Sequence, residues 1–307
     1  MTIVGDRLTP AARALVDKLS DQPVYSTLTP DEVRSLPTLL SAAPEPVASV
    51  IERRIPGPGG ALAIRVYRPV EPTASAIVYF HGGGWIIGSL GGADGACRAL
   101  ANHGGCVVIS VDYRLAPETK FPGPVLDAYA AVRWVAASAA ELGIDPSRVG
   151  VGGSSAGGNL AAAASLMARD QGGPPVAFQL LVVPVADLRY GARSHDDFAV
   201  GYGLTKADME WYASHYLARP EDADDPYASV ARADLRGMPP AFVVTAECDP
   251  LRDDGERYAA KLREAGVPAD AKRYPGMFHG FMAFPDHLPE AREALDDAGA
   301  ALRAGLR

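Results

Sequence analysis

Short runs of branched and aromatic residues alternate with longer amphipathic segments from about residue 48 onward. Glycine, proline or aspartate bounds each run, which is the pattern of strands separated by turns. Several runs are apolar at every position, as strands are when helices cover both faces of a parallel sheet. The predicted strands are Val50–Ile55, Leu62–Arg68, Ala76–Phe80, Cys106–Val111, Val149–Gly152, Phe178–Val183, Ala241–Ala246 and Ala271–Tyr274.

The segments between these strands carry apolar residues at the spacing of a helix that packs one face against a sheet. Alternating strands and helices predict right-handed β-α-β units, and therefore a mostly parallel sheet with helices on both faces. The predicted helices are Val125–Ala140, Asn159–Arg169, Arg257–Glu264 and Glu290–Arg303.

Two segments do not follow this alternation. Residues 1–47 contain a predicted helix at Pro10–Lys18, and residues 188–227 lie between two sheet strands. An insertion of that length within a sheet is usually a functional lid. We expect both segments to form one helical cap over the carboxyl edge of the sheet, where open α/β folds bind ligands. Residues 48–187 and 228–307 then form the two parts of the core.

Composition narrows the class of protein. The chain has 307 residues and a formal net charge of −8, and its basic residues form no run, which argues against nucleic acid as a partner. No stretch reaches the ~18 apolar residues that a membrane-spanning helix needs. The first residues lack the basic, apolar and small-residue pattern of a secretory signal. These features predict a cytoplasmic protein without a transmembrane segment.

The cysteines indicate no metal site. Cys97, Cys106 and Cys248 are an odd number and lack the spacing of metal ligands. We therefore expect reduced, partly buried thiols.

The candidate nucleophile is Ser155, in the sequence Gly153-Ser-Ser-Ala-Gly157 between a predicted strand and a predicted helix. A nucleophile on such a sharp turn needs small neighbours, because the turn strains the backbone and crowds Cβ atoms. The amino end of the helix adds partial positive charge beside a developing oxyanion. Ser154 is the alternative nucleophile. The motif has glycine two residues before and two residues after the serine, whereas Ser154 has Gly152 before it and Ala156 after it. One such motif is weak evidence, since a structural turn can have the same composition.

A second glycine-rich loop, His81-Gly-Gly-Gly-Trp85, directly follows the predicted strand Ala76–Phe80. Consecutive glycines leave backbone N–H groups unobstructed and allow the φ values of a tight loop. Such a loop can direct N–H donors at the oxygen of a tetrahedral intermediate, and the N–H of Ala156 would be a further donor. A structural turn or a phosphate cradle is the alternative, but the loop has neither Walker nor G-x-G-x-x-G spacing.

The general base that accepts the Ser155 proton should follow an acid, in the order Ser, acid, His. His279 comes just after a predicted strand and can reach the carboxyl edge of the sheet. His287 lies further on in a loop flanked by proline, and we expect it to be exposed. His81 precedes every candidate acid, and we expect it to brace its own loop.

The candidate acid is Asp249, at the end of the strand before His279. Its carboxylate would hold the imidazole in one tautomer and stabilise the imidazolium. Glu247 is nearer the strand and stays open as an alternative. Asp253 and Asp254 are more typical of the start of a helix.

With these motifs in this order, the chain resembles the hormone-sensitive-lipase-like family of bacterial esterases over roughly residues 60–285. Ordered motifs are more specific than any one of them alone. The motifs are HGGGW followed by Ile-Ile-Gly-Ser, then Asp112-Tyr-Arg-Leu-Ala-Pro-Glu118, GSSAGGN, DPLRD and HGF.

The resemblance implies an α/β-hydrolase fold with a helical cap, no metal or organic cofactor, and hydrolysis of small-molecule ester substrates. It implies a triad of Ser155, Asp249 and His279, with oxyanion donors at Gly83, Gly84 and Ala156. It also implies that Asp112–Glu118 braces the nucleophile turn. This chain departs from the family at Ser154, where Asp or Thr is common, and at Asp254, where Glu is usual.

Other activities remain open from the sequence. The same triad could cleave amides or lactones. Plant hormone receptors resemble this family but have lost the histidine, and the presence of His279 argues against such a receptor.

Bulky residues of the predicted cap are candidates for the substrate pocket, together with Trp85 at its base. If they face the sheet, they favour short- or medium-chain acyl esters; the alternative is that several fill the cap's own core. The family also implies a homodimer, for which we consider the edge strand near Ala271–Tyr274. The candidate pocket residues of the cap are Phe198, Tyr202, Trp211 and Tyr212.

Overall fold

A computed structural model describes residues 7–21, 23–36 and 44–307. In this part of the chain the strands form one eight-stranded sheet in the order β1-β2-β4-β3-β5-β6-β7-β8. The strands are β1 (Ser49–Gly57), β2 (Gly60–Arg68), β3 (Ala76–Phe80), β4 (Val107–Asp112), β5 (Val149–Ser154), β6 (Gln179–Val182), β7 (Ala241–Cys248) and β8 (Ala269–Phe278). Strands β1, β2 and β4 pair antiparallel in succession, and all other pairs are parallel. The predicted α/β class with a mostly parallel sheet is confirmed.

Helices cover both faces of this sheet. The helices are α1 (Pro10–Leu19), α2 (Pro30–Ser35), α3 (Asp94–Gly104), α4 (Gly123–Ala137), α5 (Ala139–Leu142), α6 (Ala156–Asp170), α7 (Arg193–Asp197), α8 (Lys206–Tyr216), α9 (Arg252–Glu264) and α10 (Pro289–Gly305). Short 3-10 turns occupy Tyr25–Thr27, Pro146–Arg148, Pro220–Asp224, Val230–Arg232 and Phe281–Ala283.

The two faces of β3 show how the core is divided. Val78 and Phe80 pack into the cluster that includes α4, α6 and α9, while Ile77 and Tyr79 pack into the cluster that includes α3 and α10. Successive side chains of a strand point to opposite faces, so a strand between two helical layers must be apolar throughout. That is why β3 has no polar alternation.

Several helices differ from the prediction; α9, for example, begins at Arg252 and not at Arg257. Helix α3 is absent from the prediction, and its buried face includes Cys97, Leu100, Ala101 and Gly104. The predicted helix Val125–Ala140 is two helices, because α4 ends at Ala137 and α5 begins at Ala139, after the cap residue Ser138.

The segment 188–227 carries α7 and α8 and contacts the amino-terminal helices directly. The N–H of Ser26 donates to the Asp208 carboxylate (3.0 Å), and Nη1 of Arg13 donates to the carbonyl of Gly201 (2.9 Å). Residues 1–6, 22 and 37–43 of the predicted cap segment lie outside the described residues. The boundaries at residues 47, 187 and 227 stay a prediction.

Candidate active site

Ser155 lies at a strained turn between β5 and α6. Its φ of 55° and ψ of −118° fall outside the regions that a residue with a side chain ordinarily adopts. A Cβ on Gly153 would come within 2.3 Å of Gly157, and a Cβ on Gly157 within 2.0 Å of the Phe80 carbonyl oxygen. The glycines are therefore required by the closeness of the backbones. Ala156 is the first residue of α6, where amide N–H groups have no partner within the helix.

Asp249 and His279 meet because of the register of two parallel strands. Cys248 of β7 is paired with Phe278 of β8, so the next residue of each strand emerges at the same point of the carboxyl edge. The Nδ1 atom of His279 lies 2.8 Å from Oδ2 of Asp249. This contact leaves Nε2 as the ring nitrogen available to another group.

The environment of Asp249 holds its carboxylate in one orientation. The side chain is fully buried (0% exposed), and Oδ1 accepts the N–H of Leu251 (2.8 Å). A buried carboxylate is costly unless it is hydrogen-bonded, and here both oxygens have a partner. His279 retains 15% of its side-chain exposure.

The alternative acids have other partners. Oε2 of Glu247 accepts the N–H of Gly276 (2.8 Å), and Asp253 accepts the N–H of Ser194 (3.0 Å). Asp254 accepts the N–H groups of two residues that follow β6 (both 3.1 Å) and lies 3.0 Å from Nε2 of the buried His195. Asp249 is thus the candidate acid that contacts His279.

The loop after β3 has positive φ values at Gly83 (115°) and Gly84 (59°). A Cβ on Gly83 would come within 2.2 Å of the Ile87 carbonyl oxygen, and one on Gly84 within 2.2 Å of the Tyr212 ring. Both conformation and space therefore require glycine.

His81 braces this loop. Its ring stacks on Tyr113 with centroids 4.3 Å apart, its Nδ1 lies 2.8 Å from the Gly82 carbonyl oxygen, and the Tyr113 hydroxyl donates to the His81 carbonyl (2.9 Å). Burial lowers the pKa of His81, which keeps the ring neutral. The expectation of a structural role fits these contacts.

A cavity of about 530 Å³ joins these groups. Ser155, His279 and the Gly82–Trp85 backbone lie in its wall, together with residues of both cap segments. A second cavity of about 700 Å³ shares six lining residues with the first, which are Leu19, Tyr25, Gly82, Gly83, Ser154 and Gly280. The turn that carries Ser155 therefore lies where two cavities of ordinary ligand-binding size meet.

A family model described as alpha/beta hydrolase fold matches residues 77–283 of this chain. The chain belongs to this α/β-hydrolase family. Carboxylesterase NlhH of Mycobacterium tuberculosis is 43% identical over 264 residues, which cover 83% of this chain and 83% of that protein. An arylesterase of Saccharolobus solfataricus is 42% identical over 251 residues, or 80% of this chain and 82% of that protein.

A solved esterase structure from the archaeon Pyrobaculum calidifontis superposes on the chain with a TM-score of 0.90. It is 41% identical in sequence, and the match covers 97% of this chain and 98% of that one. The recognition of a hormone-sensitive-lipase-like α/β hydrolase is confirmed.

The predicted pocket residues of this α/β hydrolase divide into two groups. Trp85 and Tyr212 lie in the wall of the first cavity, and the Trp85 ring stacks on Tyr216 with centroids 4.1 Å apart. Phe198, Tyr202 and Trp211 lie in neither cavity wall, which corrects the expectation for these three.

Each of the three packs elsewhere for a clear reason. Phe198 and Tyr202 pack edge to face (5.0 Å between centroids), with Arg252 over the former ring and Arg13 over the latter. These contacts join the insertion to the core and to α1. Trp211 packs against Tyr212 (5.2 Å) and the His215 ring (4.5 Å).

Other wall residues were absent from the prediction. Tyr25 comes from the amino-terminal segment, and Tyr190, Asp208 and Met209 come from the insertion. The pattern Thr205-x-x-Asp208 is a helix-start signal, and it could have placed Met209 and Tyr212 near one another on α8. The sequence contains no signal for Tyr25, whose neighbours lie far along the chain.

The described residues contain no cluster of three or more His, Cys, Asp or Glu side chains that could hold a metal ion. Within the same part of the chain, no helix is long and apolar enough to cross a membrane.

Proposed function

We propose that this hydrolase cleaves carboxylic esters by way of an acyl-enzyme on Ser155. The observation that carries the proposal is the meeting of the Asp249–His279 pair with the strained Ser155 turn in one cavity. Relatives named carboxylesterase and arylesterase at 43% and 42% identity support an ester substrate.

The first step transfers the acyl group. Nε2 of His279 accepts the hydroxyl proton as Oγ of Ser155 attacks the ester carbonyl, and Asp249 stabilises the imidazolium that results. Collapse of the tetrahedral intermediate breaks the bond to the alcohol oxygen, which takes the proton from His279. Water then attacks the acyl-enzyme with the same base, and the carboxylic acid leaves.

The negative charge that develops on the carbonyl oxygen needs preorganised donors. We assign the N–H groups of Gly83, Gly84 and Ala156 to this role. The open backbone of the glycine loop and the position of Ala156 at the start of α6 support the assignment, because the amino end of a helix favours negative charge.

The two cavities on either side of the Ser155 turn support a substrate with two separate arms. We assign one to the acyl group and the other to the alcohol, with short- to medium-chain acyl groups preferred. Trp85, Tyr25 and Tyr212 bound the first cavity and limit its length.

A burst experiment tests this function. An activated aryl ester mixed with the enzyme should release aryl alcohol in a rapid phase equal to one equivalent of chain, followed by slower turnover. Intact-mass and peptide analysis of acid-quenched samples should find the acyl group on the peptide that contains Ser155. Turnover without an acylated serine, or acylation at another residue, would reject the proposal.

We also propose a homodimer through the outer edge of β8. This strand pairs with β7 on one side, and no further described strand lies on its other side. Unpaired strand edges invite pairing with another chain. Light scattering at micromolar concentration should give twice the chain mass, and a monomer mass there would contradict this proposal.

A further inference from the structure

A carboxylate lies in the wall of the otherwise largely apolar first cavity. Asp208, in the first turn of α8, is 7% exposed and shares this wall with Met209, Leu204, Leu19 and Val185. His279 and Ser155 lie in the wall of the same cavity. A substrate arm that fills this space therefore meets a negative group among aliphatic ones.

The partners of Asp208 are all neutral. Oδ1 accepts the N–H of Ser26 (3.0 Å), and Oδ2 accepts the hydroxyl of Thr205 (2.6 Å). No Lys, Arg or His side chain among the described residues forms an ion pair with it. These hydrogen bonds and the amino end of α8 stabilise the charge without cancelling it.

The negative charge of Asp208 contributes to the pKa of two tyrosines in the same cavity wall. Burial raises the pKa of Tyr25, and the nearby Asp208 raises it further. Burial likewise raises the pKa of Tyr212, with smaller contributions from Tyr25 and Asp208. The two rings meet edge to face with centroids 6.3 Å apart, and both line the same cavity as Asp208. Asp208 is largely buried, and a charge interacts more strongly with its neighbours there than at a surface.

We propose that Asp208 is a specificity-determining residue that makes this enzyme discriminate against esters whose arm in the first cavity carries a carboxylate, and favour those whose arm carries an ammonium group. This inference rests on the proposed ester hydrolysis, because it concerns the substrate of the same site. Asp208 also has structural roles, because it lies in the first turn of α8 and accepts the N–H of Ser26. An uncharged side chain of the same shape retains these roles, so the test must isolate the effect of the charge.

The test uses esters matched in length and differing in charge. The acyl series is the aryl hexanoate, the aryl 6-aminohexanoate and the aryl monoester of adipic acid. The alcohol series is choline hexanoate and its neutral isostere, 3,3-dimethylbutyl hexanoate. Values of kcat/KM are compared as ratios to the neutral ester within each variant, so a uniform loss of activity cancels.

We expect the wild type to disfavour the carboxylate, or to favour the cation, by about tenfold in at least one series. Asp208→Asn keeps the size and an oxygen acceptor for Ser26, and it should bring that ratio to within about twofold of one. Asp208→Glu should keep the wild-type preference. Glu210→Gln removes the same charge from an exposed position on α8 outside both cavities, and it should leave the ratios unchanged.

Ratios in both series that are the same in the wild type and Asp208→Asn would overturn this inference. So would an equal change in Glu210→Gln, since the effect would then be one of overall charge. Failure of the proposed function is detected separately. If Ser155→Ala hydrolyses the neutral hexanoate as fast as the wild type does, the proposed Ser155 mechanism is wrong, whatever the charge ratios are.

Discussion

At the scale of single residues, backbone strain is concentrated around the two cavities. The non-glycine residues with positive φ in the described chain are Trp85, Ser155, Val183 and Tyr190. Each of the four lies in a cavity wall. Such conformations cost about 1–3 kcal/mol each and persist where the surrounding structure enforces them. Their grouping in the walls of the two cavities supports a functional reason for the strain.

Replacing Ser155 by alanine should abolish ester cleavage, because its Oγ is the proposed nucleophile and Ser155 is the residue with the strained backbone between β5 and α6. We expect kcat to fall on the order of 10⁴-fold or more. Ser154→Ala is the matched control and should keep most of the activity, since Ser154 ends β5 and precedes the turn. Initial rates with an aryl ester measure both. Near wild-type turnover in Ser155→Ala would reject Ser155 as the nucleophile.

The choice of acid is tested by Asp249→Asn and Glu247→Gln. The amide of the first variant no longer holds His279 in the tautomer that accepts the serine proton, and kcat should fall on the order of 10⁴-fold. Glu247 contacts Gly276 and not His279, so its variant should lose little. Comparable losses of kcat in two variants with wild-type melting temperatures would leave the acid unassigned.

At the scale of secondary-structure elements, pairing register decides which side chains meet. The β7–β8 pair brings the residues after Cys248 and Phe278 together, and the β5–α6 turn presents Ser155 at the same edge. Helix α2 is held over this edge by Arg34, whose guanidinium donates to the carbonyls of Ile86 (3.0 Å) and Ala116 (2.8 Å).

The same arginine forms a two-bond contact with Glu118 (2.6 and 2.8 Å), whose hydrogen bonds lower its pKa to about 2. A carboxyl with a lowered pKa stabilises the fold above its ordinary pKa of 4.5, and this stability is lost as the pH falls toward 2. Glu118→Gln should therefore lower the melting temperature at pH 7 and lower it less at pH 3.

The effect of Glu118→Gln should stay below about 1 kcal/mol, because the side chain is largely exposed. Glu264→Gln, at an exposed position on α9, is the control and should show no such pH dependence. An equal loss of melting temperature at both pH values would mean that the ion pair contributes nothing.

At the scale of the whole molecule, the cap and the core together enclose the cavities, and their size should set the acyl preference. Each methylene buried in the first cavity adds roughly 0.8 kcal/mol. Once the space is full, further carbons cost about 1–3 kcal/mol through overpacking. We expect kcat/KM to rise over the first few carbons and then fall.

A series of aryl esters from acetyl to palmitoyl, each below its micelle concentration, measures this profile. Tyr212→Ala should move the maximum to longer chains, because its ring lies in the cavity wall. Trp211→Ala, at a neighbouring aromatic residue outside both cavities, is the control. A maximum at palmitoyl length in the wild type would show that the cap does not limit the acyl group.

The sequence by itself determined the strands, the turn that carries Ser155 and the glycine loop, because each depends on neighbours within a few residues. An apolar run such as Ala76–Phe80 is buried on both faces when it lies as a strand between two helical layers. Gly153 and Gly157 allow a turn in which larger residues would clash with the backbone. The tertiary structure alone decided which aromatic side chains line the cavity. Phe198 is buried under Arg252, and Tyr25 reaches the wall. Such packing joins segments far apart along the chain, and periodicity within one segment holds no information about it.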